Sequence, residues 1–125
     1  MHESGETYLE TLLLLNKRLS IVRSIDVATE LGYSKASVSR AMGILKRLGY
    51  IDFQKGGAIQ LTVKGYEKAS SIYERHCYLT AFFQNTLNLP KEDATQNACR
   101  FEHVISPSCF VAIKNYVLEN QKNKL

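Results

Sequence analysis

The sequence predicts a mostly α chain interrupted by one β-hairpin, and three patterns carry that prediction. Apolar residues recur at intervals of three and four along most of the chain, and Ser, Thr and Gly punctuate those runs where helices start and stop. Residues 50–61 behave differently: they alternate apolar and polar on either side of Gly56-Gly57, as paired strands do.

Residues 6–16 place Leu9, Leu12, Leu13 and Asn16 at helical spacing, with Tyr8 and Leu15 widening the stripe into one amphipathic face. Ser24 is placed to cap a short helix over 25–31, which Gly32 ends. Ser34 then caps a third helix over 35–48, with Val38, Ala41, Leu45 and Leu48 as its buried face and Gly49 closing it. Its outer face is small and basic: Lys35, Ala36, Ser37, Ser39, Arg40, Lys46 and Arg47. The hairpin follows directly, with Lys55 at its tip. Thr62 starts a long helix over 63–86, whose stripe is Tyr66, Ala69, Ile72, Tyr73, His76, Leu79 and Phe83. Leu89-Pro90 breaks the chain before a helix over 91–105 that opens on acidic residues. Ser106-Pro107 starts a final helix with Phe110, Ile113 and Val117 inward, and the polar tail from Glu119 frays.

Length and composition exclude several classes. At 125 residues the chain suits one compact domain or two small ones sharing a core. The run at 12–15 is too short to span a bilayer, and Glu3 and Glu6 stand where a signal peptide would be basic, so a cytosolic protein with no membrane partner is expected. Three cysteines without a C-x-x-C pair argue against a disulfide framework or a zinc ribbon; Cys77 and Cys109 read as small packing residues. Net charge is +4, and the two halves each hold eight Lys/Arg and six Asp/Glu. The charge is concentrated locally, with Lys35, Arg40, Lys46, Arg47 and Lys55 against Asp52 alone over residues 34–55.

Two helices joined by a Gly-containing turn, the second basic and small on its outer side and followed by a hairpin, form a winged helix-turn-helix. Ala36, Ser37 and Ser39 allow close approach to base edges, Arg40 is long enough to reach a guanine, Lys55 is placed to meet a phosphate, and Ser34, Lys35 and Lys46 complete the expected DNA-binding set. The same order also describes a helical hairpin whose edge ribbon binds another protein. Further on, Cys99, Glu102 and His103 sit at spacings of three and four on the predicted 91–105 helix. A thiolate beside a carboxylate and an imidazole suits a late divalent transition metal. It equally describes an ordinary amphipathic helix with a half-buried Cys, a solvated Glu and a satisfied His, and His76 on its apolar stripe reads as a packed residue.

Four strings, Gly-Tyr-Ser-Lys-Ala-Ser-Val-Ser-Arg (32–40), Leu-Thr-Val-Lys-Gly (61–65), Tyr-Glu-Arg-His (73–76) and Ala-Cys-Arg-Phe-Glu-His-Val-Ile-Ser (98–106), resemble the diphtheria toxin repressor and manganese transport regulator family. The resemblance covers nearly the whole chain. It implies a DNA-binding domain over 1–62 and a helical metal-binding and dimerisation domain over 63–125. It implies metal ligation by His76, Cys99, Glu102 and His103. Thr7 replaces a family ligand, which makes Glu10 the contribution of the first helix, and Thr80 and Thr95 replace ancillary ligands. The chain looks like the short form without an SH3-like third domain. The implied protein is a homodimeric repressor of metal-homeostasis genes that binds a palindromic operator in double-stranded DNA. Its co-repressor would be Fe2+ or Mn2+, with Co2+, Ni2+ or Zn2+ also binding in vitro, and it would act on no small organic substrate. Cys99 looks like the iron-responsive branch; Glu10 and the short architecture look like the manganese branch. The competing reading is a metal-independent winged-helix regulator whose Cys-Glu-His cluster is vestigial or redox-sensing. A hydrolase using Glu102 as base would leave the winged helix unexplained.

Overall fold

The computed structural model describes residues 3–123, which fall into two compact units divided between Ser71 and Ile72. The first unit holds α1 (Glu3–Arg18), α2 (Ser24–Leu31), α3 (Lys35–Arg47), β1 (Ile51–Phe53) and β2 (Ile59–Leu61), and α4 (Val63–Ala81) begins in it. The second holds the rest of α4, a π-helical turn (Phe82–Thr86), α5 (Lys91–Phe101) and α6 (Pro107–Asn123). The expected fold class is therefore observed: mostly helical, with a winged helix-turn-helix first.

In the first unit Leu9, Leu12, Val27, Val38, Met42 and Ile51 are fully buried. Met42 fills the inner face of α3 where Ala41 and Leu48 were expected; Leu48 is 47% exposed because α3 ends at Arg47 and the chain turns there. Ser34 caps α3 as expected, its Oγ accepting from the Ser37 N–H at 3.1 Å. The start of α2 differs from expectation. Arg23 is the N-cap and Ser24 the first helical residue, and the Asp26 carboxylate reaches back to accept from the Arg23 N–H at 2.8 Å. Gly32 ends α2 at φ 69°, a left-handed conformation in which its N–H reaches the Ala28 carbonyl.

The wing is an antiparallel pair in register Ile51↔Leu61 and Phe53↔Ile59, with Ile51 and Ile59 buried. It is held at two further points. The Ile59 N–H donates to the Val22 carbonyl at 2.7 Å, and Arg23 Nε donates to the Gly56 carbonyl at 3.0 Å.

Residues 62–65 clasp the end of α3. Thr62 N–H donates to the Tyr50 carbonyl, Thr62 Oγ1 to the Gly49 carbonyl, and Lys64 Nζ to the Leu48 carbonyl at 2.7 Å. The Lys64 ammonium also lies over the Tyr50 ring, 4.5 Å from its centre. The Lys64 bond satisfies the carbonyl of Leu48, the C-cap residue of α3, and a cation is the favoured group at that end of a helix. Thr62 Oγ1 meanwhile caps α4 by accepting from the Gly65 N–H. Gly65 is required because α4 starts against the strand: a Cβ there would overlap the Tyr50 carbonyl.

In the second unit Ile72, Leu79, Ala94, Ala98 and Val117 are buried, and ring contacts Tyr78–Phe110, Phe82–Tyr116 and Phe83–Phe101 join its helices. Several expectations are corrected. The last turn of the 63–86 helix is π-helical. Tyr66 is 57% exposed, and Cys77, Cys99 and Cys109 are all exposed, so none of the cysteines packs a core. Helical structure continues to Asn123 through the tail expected to fray; residues 124–125 lie outside those described. The 91–105 helix stops at Phe101, because Ser106 precedes a proline and is biased away from helical backbone. The Phe101 carbonyl instead accepts from both the Val104 and Ile105 N–H groups in a tight turn.

Gly65→Ala is expected to lower stability by about 1–3 kcal/mol, since backbone must move to admit the methyl group. Thermal denaturation compared with Gly43→Ala, where a Cβ meets nothing within 4 Å, measures it.

Candidate metal centre and nucleic-acid interface

The turn after α5 is what assembles the candidate centre. Glu102 is the C-cap residue and its side chain is 1% exposed. One carboxylate oxygen, Oε2, lies 2.9 Å from His76 Nδ1 on α4. The other, Oε1, is buried without a hydrogen-bond partner, with His103 Nε2 3.4 Å away. Cys99 Sγ, on the last turn of α5, lies 3.8 Å from the same His76 Nδ1. His76, Cys99, Glu102 and His103 are thus brought together within the second unit. They are not one solvent-facing stripe: Glu102 points inward and Cys99 outward, because the chain has left the helix between them. Glu10, the fifth expected ligand, is half-buried on α1 of the first unit.

The electrostatics of this cluster call for a cation. A buried carboxylate is costly unless neutralised, and Glu102 sits at the carbonyl end of α5, where the helix dipole adds further negative potential. His76 responds to that field. The neighbouring Cys99 first, and then Glu102, hold the proton on its ring and push its pKa from 6.5 up to about 10, against the opposing effect of burial. A proton on His76 therefore stands where positive charge is wanted. The donor chemistry fits a divalent transition ion: two imidazoles, a carboxylate with a hydrogen-bond-free buried oxygen, and a thiol.

Sequence reasoning missed Arg75. Its guanidinium donates to the Glu102 main-chain carbonyl at 2.9 Å, and the only sequence signal was its place beside His76 in the Tyr-Glu-Arg-His string.

The residues expected at DNA all lie on or beside the outer face of α3 or on the wing. Lys35, Ala36, Ser39, Arg40, Lys46 and Lys55 are exposed. Ser34 and Ser37 are exposed but engaged with each other, Oγ to Oγ at 2.9 Å, in the α3 cap. Lys46 lies over the Phe53 ring, 5.4 Å from its centre, so α3 and the wing present adjoining positive charge.

With this geometry in hand, the comparisons with known proteins are direct. A family model described as the iron dependent repressor N-terminal DNA binding domain matches residues 1–59, and one described as the iron dependent repressor metal binding and dimerisation domain matches residues 62–124. The chain is 30% identical over 126 residues, and over the full length of both, to an uncharacterised HTH-type transcriptional regulator of Methanocaldococcus jannaschii. It is 27% identical over 109 residues to the transcriptional regulator MntR of Escherichia coli O157:H7, covering 87% of this chain and 70% of that one. It is 27% identical over 104 residues to the iron-dependent repressor IdeR of Mycobacterium leprae, covering 83% of this chain and 45% of that one. Among solved structures, the manganese regulator SloR superposes with a TM-score of 0.81 at 25% identity, over 90% of this chain and 53% of that one. The chain spans about half the length of IdeR and SloR. It is a DNA-binding transcriptional regulator of the metal-dependent kind and not an enzyme. It belongs to the iron-dependent repressor family, with DNA and a second copy of itself as partners and a divalent metal as cofactor. No helix among the described residues is long and apolar enough to cross a membrane.

Because His76 must lose its proton before its nitrogen can ligate, cation binding below about pH 10 is expected to release at least about one proton. Affinity should therefore rise with pH, by about tenfold per unit. Titration calorimetry with Mn2+ at two pH values, in buffers of different ionisation enthalpy, measures both effects.

Proposed function

We propose that this protein is a repressor of metal-ion homeostasis genes, with Fe2+ or Mn2+ as co-repressor, acting as a homodimer on a palindromic operator. The observation that carries the metal half is the buried, partly unsatisfied Glu102 carboxylate between His76 and His103, with Cys99 on the same His76 nitrogen. We take residues 1–62 as the DNA-binding domain and 63–125 as the metal-binding and dimerisation domain.

The ligand set of the proposal is His76, Cys99, Glu102 and His103, with Glu10 added on the strength of the family resemblance. A divalent ion in this set supplies positive charge to the thiolate, the carboxylate and the carbonyl end of α5. Glu102 holds the His76 imidazole at Oε2 and has the His103 ring beside Oε1, and His76 would have to give up its proton to ligate. Glu10, carried on the first helix of the DNA-binding unit, makes metal occupancy and placement of α3 thermodynamically linked. By reciprocity, operator DNA tightens metal binding by the same factor. The thiolate favours iron on grounds of softness, whereas the carboxylates accommodate either ion. In a symmetric dimer two α3 helices read two half-sites at a set separation, which is why a palindrome is expected.

The test is fluorescence anisotropy of labelled palindromic fragments from the protein's own upstream region, titrated anaerobically with Mn2+, with Fe2+ and with chelator at fixed salt, since phosphate contacts make affinity salt-dependent. Tight binding with metal alone is expected; equal binding in chelator would mean a metal-independent regulator. Arg40→Ala should relax sequence preference by about 1–3 kcal/mol if Arg40 reads a guanine, seen as a reduced ratio of operator to random-sequence affinity. Uniform weakening on every sequence would reassign Arg40 to a phosphate.

A further inference from the structure

We infer that Arg75 is a positioning residue for the metal centre, a role that rests on the metal-dependent reading above. The carbonyl it holds belongs to the peptide unit joining Glu102 to His103. A peptide unit is planar, so fixing its oxygen fixes the plane from which two candidate ligands depart in opposite directions. That plane lies outside the regular helix, since α5 ends at Phe101, and α5's own hydrogen-bond ladder does not hold it. Arg75 adjoins His76 on α4, and the pair grips one residue twice. Arg75 takes the Glu102 main-chain oxygen at 2.9 Å while His76 takes its carboxylate at 2.9 Å. Two of the four clustered donors, Glu102 and His103, are therefore oriented by the dipeptide that itself contributes a third, His76.

A guanidinium is suited to this place. It is planar and carries several N–H donors in a fixed fork, so it holds a carbonyl oxygen in a defined direction. It has no lone pair to offer, so it orients the site without entering it. It also places a cation at the carbonyl end of α5, where the helix dipole favours one.

The experiment uses the full chain and Co2+ as probe, following the thiolate-to-cobalt charge-transfer band anaerobically against a competing chelator. Arg75→Met, which keeps the apolar stem and removes the donors, is expected to weaken Co2+ binding by about 10- to 100-fold with metal-free helical circular dichroism unchanged. Arg75→Lys, which restores one charged donor, is expected to recover part of that loss. Wild-type affinity in a folded Arg75→Met variant would overturn the inference. Should Arg75→Met fail to fold, Arg75→Gln decides, because its shorter side chain removes the charged reach. Folded Arg75→Gln with weakened Co2+ binding sustains the proposal. Folded Arg75→Gln with wild-type affinity, or loss of fold in both variants, overturns it in favour of a purely structural role. A wild-type chain that shows no thiolate-to-cobalt band refutes the Cys99-containing centre, and Arg75 falls with it. A wild-type band retained at the same midpoint in Arg75→Met refutes Arg75 alone.

Discussion

The burial of one carboxylate sets the terms for the second unit. Glu102 is 1% exposed at the carbonyl end of a helix, the less favourable end for an anion, and one of its oxygens receives no hydrogen bond. Such a group destabilises a fold unless positive charge comes to it. In the metal-free chain the charge comes from the proton that His76 retains up to about pH 10. The same arrangement that makes His76 a strong base is what makes the cluster a candidate cation site, because a proton and a metal ion would compete for one nitrogen in one field. Stability has the corresponding sign. The contribution of a His whose pKa is raised is fully present below its unfolded value of 6.5 and is lost as pH rises through about 10, where only a metal ion can replace it.

The first unit is governed by a different constraint, close approach of main chain to main chain. Thr62, Lys64 and Gly65 between them engage the carbonyls or backbone of Leu48, Gly49 and Tyr50, so the end of the recognition helix and the start of α4 are built as one piece. The wing is tied to the segment before α2 by Val22 and Arg23 in the same way. A recognition surface gains from this because base readout needs side chains held within hydrogen-bond tolerance of the groove, and a helix free to rock at its C-terminus would blur that. The Leu-Thr-Val-Lys-Gly string, which in sequence is only a resemblance, thus has a mechanical reason at Thr62, Lys64 and Gly65.

Much of the fold was legible because it rests on local signals. Helical periodicity, the Ser34 cap, the Gly32 stop and the Gly-Gly turn each act over a few residues, and each is where the sequence places it. Errors arose where several local signals compete or where nothing local decides. Asp26 rather than Ser24 caps α2, since a carboxylate three residues in reaches the free N–H. Met42 displaced Leu48 from the buried face because α3 stops one residue early. The cysteines are exposed although cysteine is usually buried, and nothing local distinguishes an exposed one.

The site shows the same division. Spacing alone brought Cys99, Glu102 and His103 together, yet for the wrong reason: an unbroken helix would have put all three on one face, and Glu102 would have been solvated. The turn at 102–104 makes the arrangement chemically useful, turning the carboxylate inward to His76 while the thiol stays outside. His76 is separated from Glu102 by twenty-six residues, so only the resemblance connected them in sequence. Arg75 had no signal beyond its place beside His76, because its partner is a main-chain carbonyl, which every residue has and no sequence pattern marks. A side chain that acts on backbone is recognisable only after the fold has chosen which carbonyl is left open, and here it is the one between two candidate ligands.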